Sequence, residues 1–190
     1  KAPRDYIDSN IVGFLNILEA CRNYGVGHLV YASTSSVYGG NTGFPFSEHH
    51  STDHPKSLYA ATKKSNELMA FTYSHLFNIP SSGLRFFTVY GPMGRPDMAY
   101  FRIAAAALGQ GKFTLFGDGT IKRDYTFIED VIERLSYFIV NDVQIPFVLN
   151  IGGGNSISIN FWCRTKFFGN ITGMKQLMPR QIKNFLSLKI

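Results

Sequence analysis

The hydrophobic pattern of the first half of the chain alternates between helical and strand periods. Apolar residues recur at three- and four-residue intervals within residues 8–24, which predicts an amphipathic helix that ends before Gly25. The run from His28 to Ser33 has no polar alternation, as is typical of a central strand covered on both faces. A loop is predicted over residues 39–55, because glycines, prolines and polar residues dominate it. Helical periodicity then returns over residues 57–77.

A second buried strand is predicted over residues 81–90, where Gly91-Pro92 ends it. Strand, helix and strand in this order predict a right-handed parallel α/β unit. Beyond it we predict two helices, at residues 98–108 and 128–141, and a strand from Val148 to Ile151. Residues 160–190 show no clear periodicity.

The composition is that of a globular protein. The chain has 190 residues, of which 45% are hydrophobic, and no apolar run reaches the roughly 20 residues that span a bilayer. Since the first residues also lack the apolar core of a signal peptide, we expect a cytoplasmic protein with no membrane partner. Cys21 and Cys163 lie far apart, so we interpret both as packing residues and expect no metal site.

The net charge of +6 comes from the C-terminal tail. Residues 1–142 contain 13 basic and 13 acidic residues, whereas six basic and no acidic residues follow Val143. Such a tail could be a phosphate-binding arm or a C-terminus whose sequence has drifted or been replaced. We favour the second interpretation and expect no nucleic-acid partner, because no zinc-finger, helix-turn-helix or aromatic-basic pattern accompanies the charge.

Three residues indicate acid–base chemistry. Tyr59 and Lys63 are four positions apart on a predicted helix, so their side chains share one face. A neighbouring ammonium favours the phenolate form of a tyrosine, which can then accept a proton from a sugar hydroxyl. Thr34 falls at the carboxyl end of the preceding strand, where ligands bind in open α/β sheets.

Four motifs in order resemble the extended short-chain dehydrogenase/reductase family of nucleotide-sugar epimerases, over roughly residues 6–159. They are the run Ser33–Gly39, the Tyr59/Lys63 pair, the strand Leu84–Pro92 and the segment Arg123–Asp130. The resemblance implies an α/β fold with a Rossmann-type parallel sheet and a smaller α/β substrate-binding lobe. It also implies NAD as cofactor, a UDP-sugar as substrate and a homodimer. We accordingly interpret residues 1–90 as the later part of the NAD-binding domain. Residues 91–190 would be mainly the substrate lobe, with the helix at 128–141 packing back on the first domain.

The resemblance also implies roles for individual residues. Thr34 and Tyr59 match the catalytic hydroxyl and base, Lys63 matches the residue that holds the nicotinamide ribose, and Ser33 lies beside the cofactor. Asn10 matches a helix asparagine that we interpret as structural.

For substrate binding, Ser35, Ser36 and Thr88 would line the sugar pocket, where hydroxyl donors suit a carboxylate. Arg102 and Arg123 would contact the diphosphate and the uridine. Two alternatives remain open. Each arginine could be a solvated surface charge, and Thr88 could only pack within a strand.

The activity implied is inversion at C4 of a UDP-sugar through a 4-keto intermediate. Residues 94–99 and the Ser35-Ser36 pair are most similar to members that convert UDP-glucuronate to UDP-galacturonate. The dehydratases of the family have an Asp-Glu pair, and the decarboxylases a Glu, where this chain has serines. Serine cannot supply the acid or base of those later steps, which favours epimerisation.

The sequence contains no G-x-G-x-x-G turn for a pyrophosphate, and Gly152–Gly154 lacks that spacing. We therefore expect a truncated chain whose sheet exposes an edge and whose activity in isolation is in doubt. Three alternatives stay open at this point: a nucleotide-sugar epimerase or related dehydratase, an inactive remnant or binding module of that ancestry, and a basic interaction protein.

Overall fold

A computed structural model describes residues 2–107, 110, 112–115, 117–140 and 146–163 of the chain. They belong to two compact units. The first contains the residues up to Phe87 together with Leu135–Ile151, and the second contains Thr88–Arg134 together with the residues from Gly152 onward. None of the helices in the described ranges combines the length and the hydropathy that crossing a bilayer requires.

The first unit begins with helix at Pro3, before the predicted range of residues 8–24, and the helix has three segments. Helix α1 (Pro3–Ile7) runs into a π-helical turn (Asp8–Val12) and then into α2 (Gly13–Tyr24). Helix α2 ends as predicted, because Gly25 adopts the left-handed conformation (φ 62°) and the Val26 amide donates to the Cys21 carbonyl at 3.0 Å. The Cys21 side chain is buried, whereas that of Cys163 lies outside the described residues.

The sheet of the first unit is parallel, as predicted. Strand β1 (Leu29–Thr34) leads through helix α3 (Leu58–Phe77) to β2 (Ser81–Phe86), and the strand order is β1-β2-β5 with β5 at Val148–Ile151. The expectation that β1 is central and covered on both faces is wrong for the described residues. Strand β1 lies at the edge of this sheet and exposes Val30 and Ala32, and β2 is the central strand.

The core of this unit holds α2 and α3 against β1. Leu18 of α2, Tyr31 of β1 and Ala70 of α3 form a buried cluster, and Phe14 and Phe147 pack at its margin. Burying a leucine side chain as fully as Leu18 stabilises a fold by about 1.5–3 kcal/mol. The packing therefore fixes the two helices relative to the strand that carries Thr34.

The single strand predicted over residues 81–90 is two strands in two different sheets. Strand β2 ends at Phe86, and the Phe87 amide still donates to the Ile151 carbonyl of β5 at 3.1 Å. Strand β3 (Thr88–Tyr90) pairs instead with β4 (Lys122–Phe127). An apolar run does not reveal a change of hydrogen-bonding partner, so the pattern continued across the break.

The second unit has its own small sheet, in the order β3-β4-β6. Strand β6 (Ser156–Ser158) is antiparallel to β4 and leads into helix α6 (Ile159–Cys163). Helix α4 (Ala99–Ala107) places Tyr100 and Ile103 in a buried cluster. Helix α5 (Ile128–Val140) begins at the predicted residue, while Leu108 and Asn141, the predicted helix ends, lie outside the described residues. The assignment of cofactor binding and substrate binding to residues 1–90 and 91–190, with the helix at 128–141 packing back, stays a prediction.

Candidate active site

Thr34 is the last residue of β1 and caps the turn that follows. Its backbone is extended (φ −155°, ψ 145°), and a 3₁₀ helix begins at once over Ser35–Tyr38. The Thr34 Oγ1 accepts a hydrogen bond from the Ser36 amide at 3.2 Å. A hydroxyl that accepts from a backbone amide keeps its own proton to donate. The geometry thus makes Thr34 a fixed hydrogen-bond donor at the carboxyl end of the strand.

Tyr59 and Lys63 lie on one face near the start of α3. Ser57 caps this helix by accepting from the Ala60 amide at 3.1 Å. The Tyr59 side chain is 37% exposed, and its ring lies 6.1 Å from that of Tyr6. This position leaves Tyr59 accessible to a ligand while one side of its ring rests against α1.

Lys63 connects α3 directly to β1. Its Nζ donates to the Ala32 carbonyl at 3.0 Å, two residues before Thr34. Partial burial lowers the pKa of the Lys63 ammonium from its ordinary value. Because an ammonium has three N–H donors and one is used here, two remain for a ligand.

Asn10 ties the π-helical turn to α3. Its Nδ2 donates to Thr62 Oγ1 at 2.9 Å, and the Asn66 side chain donates to the Asn10 carbonyl. The Asn10 carbonyl, which lies in the π-helical turn, thus accepts from a side chain of α3. These contacts link α1 and α2 to the helix that carries Tyr59.

The predicted serines have different surroundings. Ser33 is 3% exposed, and its hydroxyl donates to Glu67 Oε1 at 2.7 Å. Ser35 is half-buried and Ser36 is exposed. The roles of Ser33 beside a cofactor and of Ser35 and Ser36 beside a sugar stay predictions.

A buried polar row, which the sequence analysis missed, underlies the strand ends. Ser33, Arg85 and Asn150 are register partners across β1, β2 and β5. Arg85 donates to both carboxylate oxygens of Glu67, from Nε and from an Nη, each at 2.8 Å. Burial alone would raise the pKa of the Glu67 carboxyl, but the hydrogen bonds from Arg85 and Ser33 and the Arg85 charge hold it below its ordinary value.

The row continues to the loop after the 3₁₀ helix. A second Nη of Arg85 donates to the Tyr38 hydroxyl at 2.9 Å, and that hydroxyl donates to Asn150 Oδ1 at 2.8 Å. The Asn150 amide nitrogen of the backbone donates in turn to Glu48 Oε1 at 2.7 Å. The Tyr38 ring stacks on Phe46 with ring centroids 4.6 Å apart. One hydrogen-bonded chain therefore joins the strand ends, helix α3 and the loop.

The sequence contains a signal for the buried Glu67–Arg85 pair. Arg85 is a charge inside a strand that the sequence predicts to be buried, and such a charge requires a buried partner of opposite sign. Glu67 is the one acidic residue in the sequence of α3, the helix that connects β1 and β2.

The remaining predicted residues belong to the second unit. Thr88 begins β3 opposite Tyr125 of β4, and Arg123 lies two residues before Tyr125, so register places these residues on one face of the small sheet. Arg102 is exposed on α4, with its guanidinium 5.8 Å from the centre of the Phe113 ring. These contacts leave the substrate-binding roles of the three residues as predictions.

Two further expectations concern a metal site and the basic C-terminal tail. Among the described residues, no group of three or more His, Cys, Asp or Glu is arranged to hold a metal ion. The basic C-terminal tail, from Arg164 to Lys189, lies outside the described residues.

Comparison with known proteins decides the family. The model of the NAD dependent epimerase/dehydratase family matches residues 1–152. The chain belongs to this family. Protein CapI of Staphylococcus aureus is 58% identical over 137 residues, which cover 72% of this chain and 41% of that protein. A probable UDP-glucuronate 4-epimerase of Rhizobium meliloti is 41% identical over 181 residues, covering 86% and 53%.

A solved structure confirms the Rossmann-like class of fold. It is the UDP-glucuronic acid 4-epimerase of Bacillus cereus in complex with UDP-glucuronic acid and NAD, which is 40% identical, with a TM-score of 0.75 over 81% of this chain and 49% of that one. The predicted α/β class with a parallel sheet and the resemblance to nucleotide-sugar epimerases are both confirmed. The chain spans about half the length of the relatives that it matches.

Proposed function

We propose that this chain serves the NAD-dependent inversion of C4 in a UDP-sugar, and that the sugar is glucuronate, converted to galacturonate. One observation carries the proposal: Tyr59 and Lys63 share a helix face that a Lys63–Ala32 hydrogen bond holds against β1, two residues from the Thr34 hydroxyl. The relatives named for UDP-glucuronate support the substrate.

The family name implies NAD as cofactor, and Lys63 is suited to bind it. Lys63 has two N–H donors left after its bond to Ala32, which suits the hydroxyls of a nicotinamide ribose. NAD, when bound, supplies the hydride acceptor and donor that inversion at an unactivated carbon needs. The chain itself supplies the proton chemistry and the hydrogen bonds around the reacting hydroxyl.

In this proposal Tyr59 accepts the proton of the sugar C4 hydroxyl and later returns it. Thr34 donates its proton to the same sugar oxygen, since the bond from the Ser36 amide uses only an acceptor site of the hydroxyl and leaves the proton free. Ser35 and Ser36 follow on the 3₁₀ helix and offer hydroxyl donors for the sugar carboxylate. Arg102, Arg123 and Thr88 stay proposed contacts to the diphosphate, the uridine and the sugar.

The test uses the protein expressed from its complete gene, supplied with NAD and UDP-glucuronate, and follows the anomeric proton signals of the two uronates by NMR. The wild-type protein is expected to interconvert them, and Tyr59→Phe is expected to lose turnover by at least about 10³-fold, since the general base is gone. Tyr24→Phe is the matched control, because Tyr24 is 86% exposed at the end of α2.

Three outcomes contradict parts of the proposal. Turnover retained by Tyr59→Phe removes the catalytic assignment. Turnover of UDP-glucose or UDP-N-acetylglucosamine but not UDP-glucuronate corrects the substrate. A wild-type protein that binds no NAD and converts none of the three sugars favours an inactive remnant. The homodimer and the cytoplasmic location remain predictions beside this proposal.

A further inference from the structure

Two hydrogen bonds between described side chains of α3 and residues of β1 lie on successive helical turns. Lys63 reaches the Ala32 carbonyl at 3.0 Å, and Glu67, four residues later, accepts from the Ser33 hydroxyl at 2.7 Å. The two β1 residues immediately precede Thr34. Both bonds therefore help to set the distance between the helix face that carries Tyr59 and the end of β1.

Arg85 fixes the orientation of the Glu67 carboxylate. Its guanidinium forms a two-pronged contact with both oxygens at 2.8 Å, and the side chains of Arg85 and Glu67 are 4% and 2% exposed. A forked contact of this kind defines the plane of the carboxylate as well as its position. Since Arg85 lies beside Ser33 in register, the pair ties α3 to two neighbouring strands at one level.

We propose that Glu67, held by Arg85 and bound to Ser33, is a positioning residue that sets the separation of the Tyr59–Lys63 helix face from Thr34. The inference rests on the proposed function. Lys63 is expected to engage a cofactor with the donors that its bond to Ala32 leaves free, whereas the Glu67 carboxylate accepts only from protein groups: Arg85, Ser33 and, at 3.4 Å, the Lys64 ammonium. Glu67 can thus maintain the separation while Lys63 binds the cofactor.

The test separates positioning from stability. The double variant Glu67→Met/Arg85→Met replaces a buried ion pair by apolar groups of similar length, a change that often preserves stability. Because the buried Ser33 hydroxyl loses its Glu67 acceptor, the melting temperature is expected to fall by several degrees. The expected effect on activity is larger: kcat for UDP-glucuronate falls about 100-fold and KM changes less than about threefold. Arg85→Lys, which keeps the charge but loses the fork, is expected to recover only part of kcat. Arg22→Gln, which removes an exposed ion pair with Glu19, is the control.

A second readout needs no turnover. The acetylation rate of Lys63, measured by mass spectrometry relative to exposed Lys122, is expected to rise several-fold in the double variant as the helix face moves from β1. A folded double variant with wild-type kcat and unchanged Lys63 labelling overturns the proposal. If the double variant does not fold, the same two readouts on Arg85→Lys decide. If the wild-type protein has no turnover, the proposed function fails and the labelling alone decides.

Discussion

The Thr34 hydroxyl has two tasks whose energies can be measured separately. In Thr34→Val the side chain keeps its shape but loses the oxygen that accepts from the Ser36 amide and the proton proposed for the sugar oxygen. Losing a helix cap costs about 1 kcal/mol of stability, which corresponds to a melting temperature lower by about 2–4 °C in a chain of this size. Losing a donor to a developing oxyanion costs about 2.7–4 kcal/mol in the barrier, or about 10²–10³ in kcat.

The assay combines initial rates on UDP-glucuronate with urea unfolding of the same preparations. Thr34→Ser is the control, since it retains the hydroxyl and is expected to keep most of the rate and the stability. A Thr34→Val variant that is destabilised by the loss of the cap but keeps kcat within about threefold of wild type would contradict the proposed role of the hydroxyl. Thr34 would then be only the residue that ends β1 and starts the 3₁₀ helix.

Two further predictions concern stability. Because the folded-state pKa of Glu67 lies below its ordinary value of about 4.5, its contribution is present above that pH and is lost as the pH falls through the folded value. The difference in urea-unfolding free energy between wild type and Glu67→Gln should therefore shrink below about pH 4.5, and a constant difference would contradict the assignment. Gly39→Ala should destabilise more than Gly25→Ala. Gly25 is left-handed (φ 62°, ψ 46°) with open space for a Cβ, whereas Gly39 (φ 59°, ψ −113°) lies outside the left-handed region and a new Cβ there would clash with the His54 carbonyl. The strain of a left-handed alanine at Gly25 is about 1–2 kcal/mol, and equal losses for the two variants in thermal unfolding would contradict the prediction.

The sequence was sufficient for local structure wherever caps and periodicity agree. Gly25 ends α2 as predicted, and helix α3 starts one residue after the predicted boundary because Ser57 is its cap. The parallel order of β1 and β2 followed from the intervening helix. The helix ends depend on contacts within a few residues, which a single sequence displays directly.

Features that depend on partner choice were not predictable in the same way. The break at Phe87 occurs inside a continuous apolar run, since the change is in the neighbouring strand and not in the residues themselves. The π-helical turn around Asn10 contacts the Asn66 side chain, which is 56 residues away in sequence. Long-range hydrogen bonds of this kind leave no periodic signal.

The free energy needed to bury the Glu67–Arg85 ion pair indicates that the pair has a role other than stability. Removing two charges from water costs several kcal/mol per ion, so a buried pair is weak evidence for stability, and apolar residues of similar volume often serve stability as well or better. What apolar side chains cannot do is fix a direction: the fork orients the carboxylate, and the carboxylate orients Ser33, the residue before Thr34. The free energy spent on burying the pair is therefore better explained by geometry at the strand end than by the stability of the core. A pair kept for this geometry must affect kcat more than the free energy of unfolding, and the double variant tests that relation.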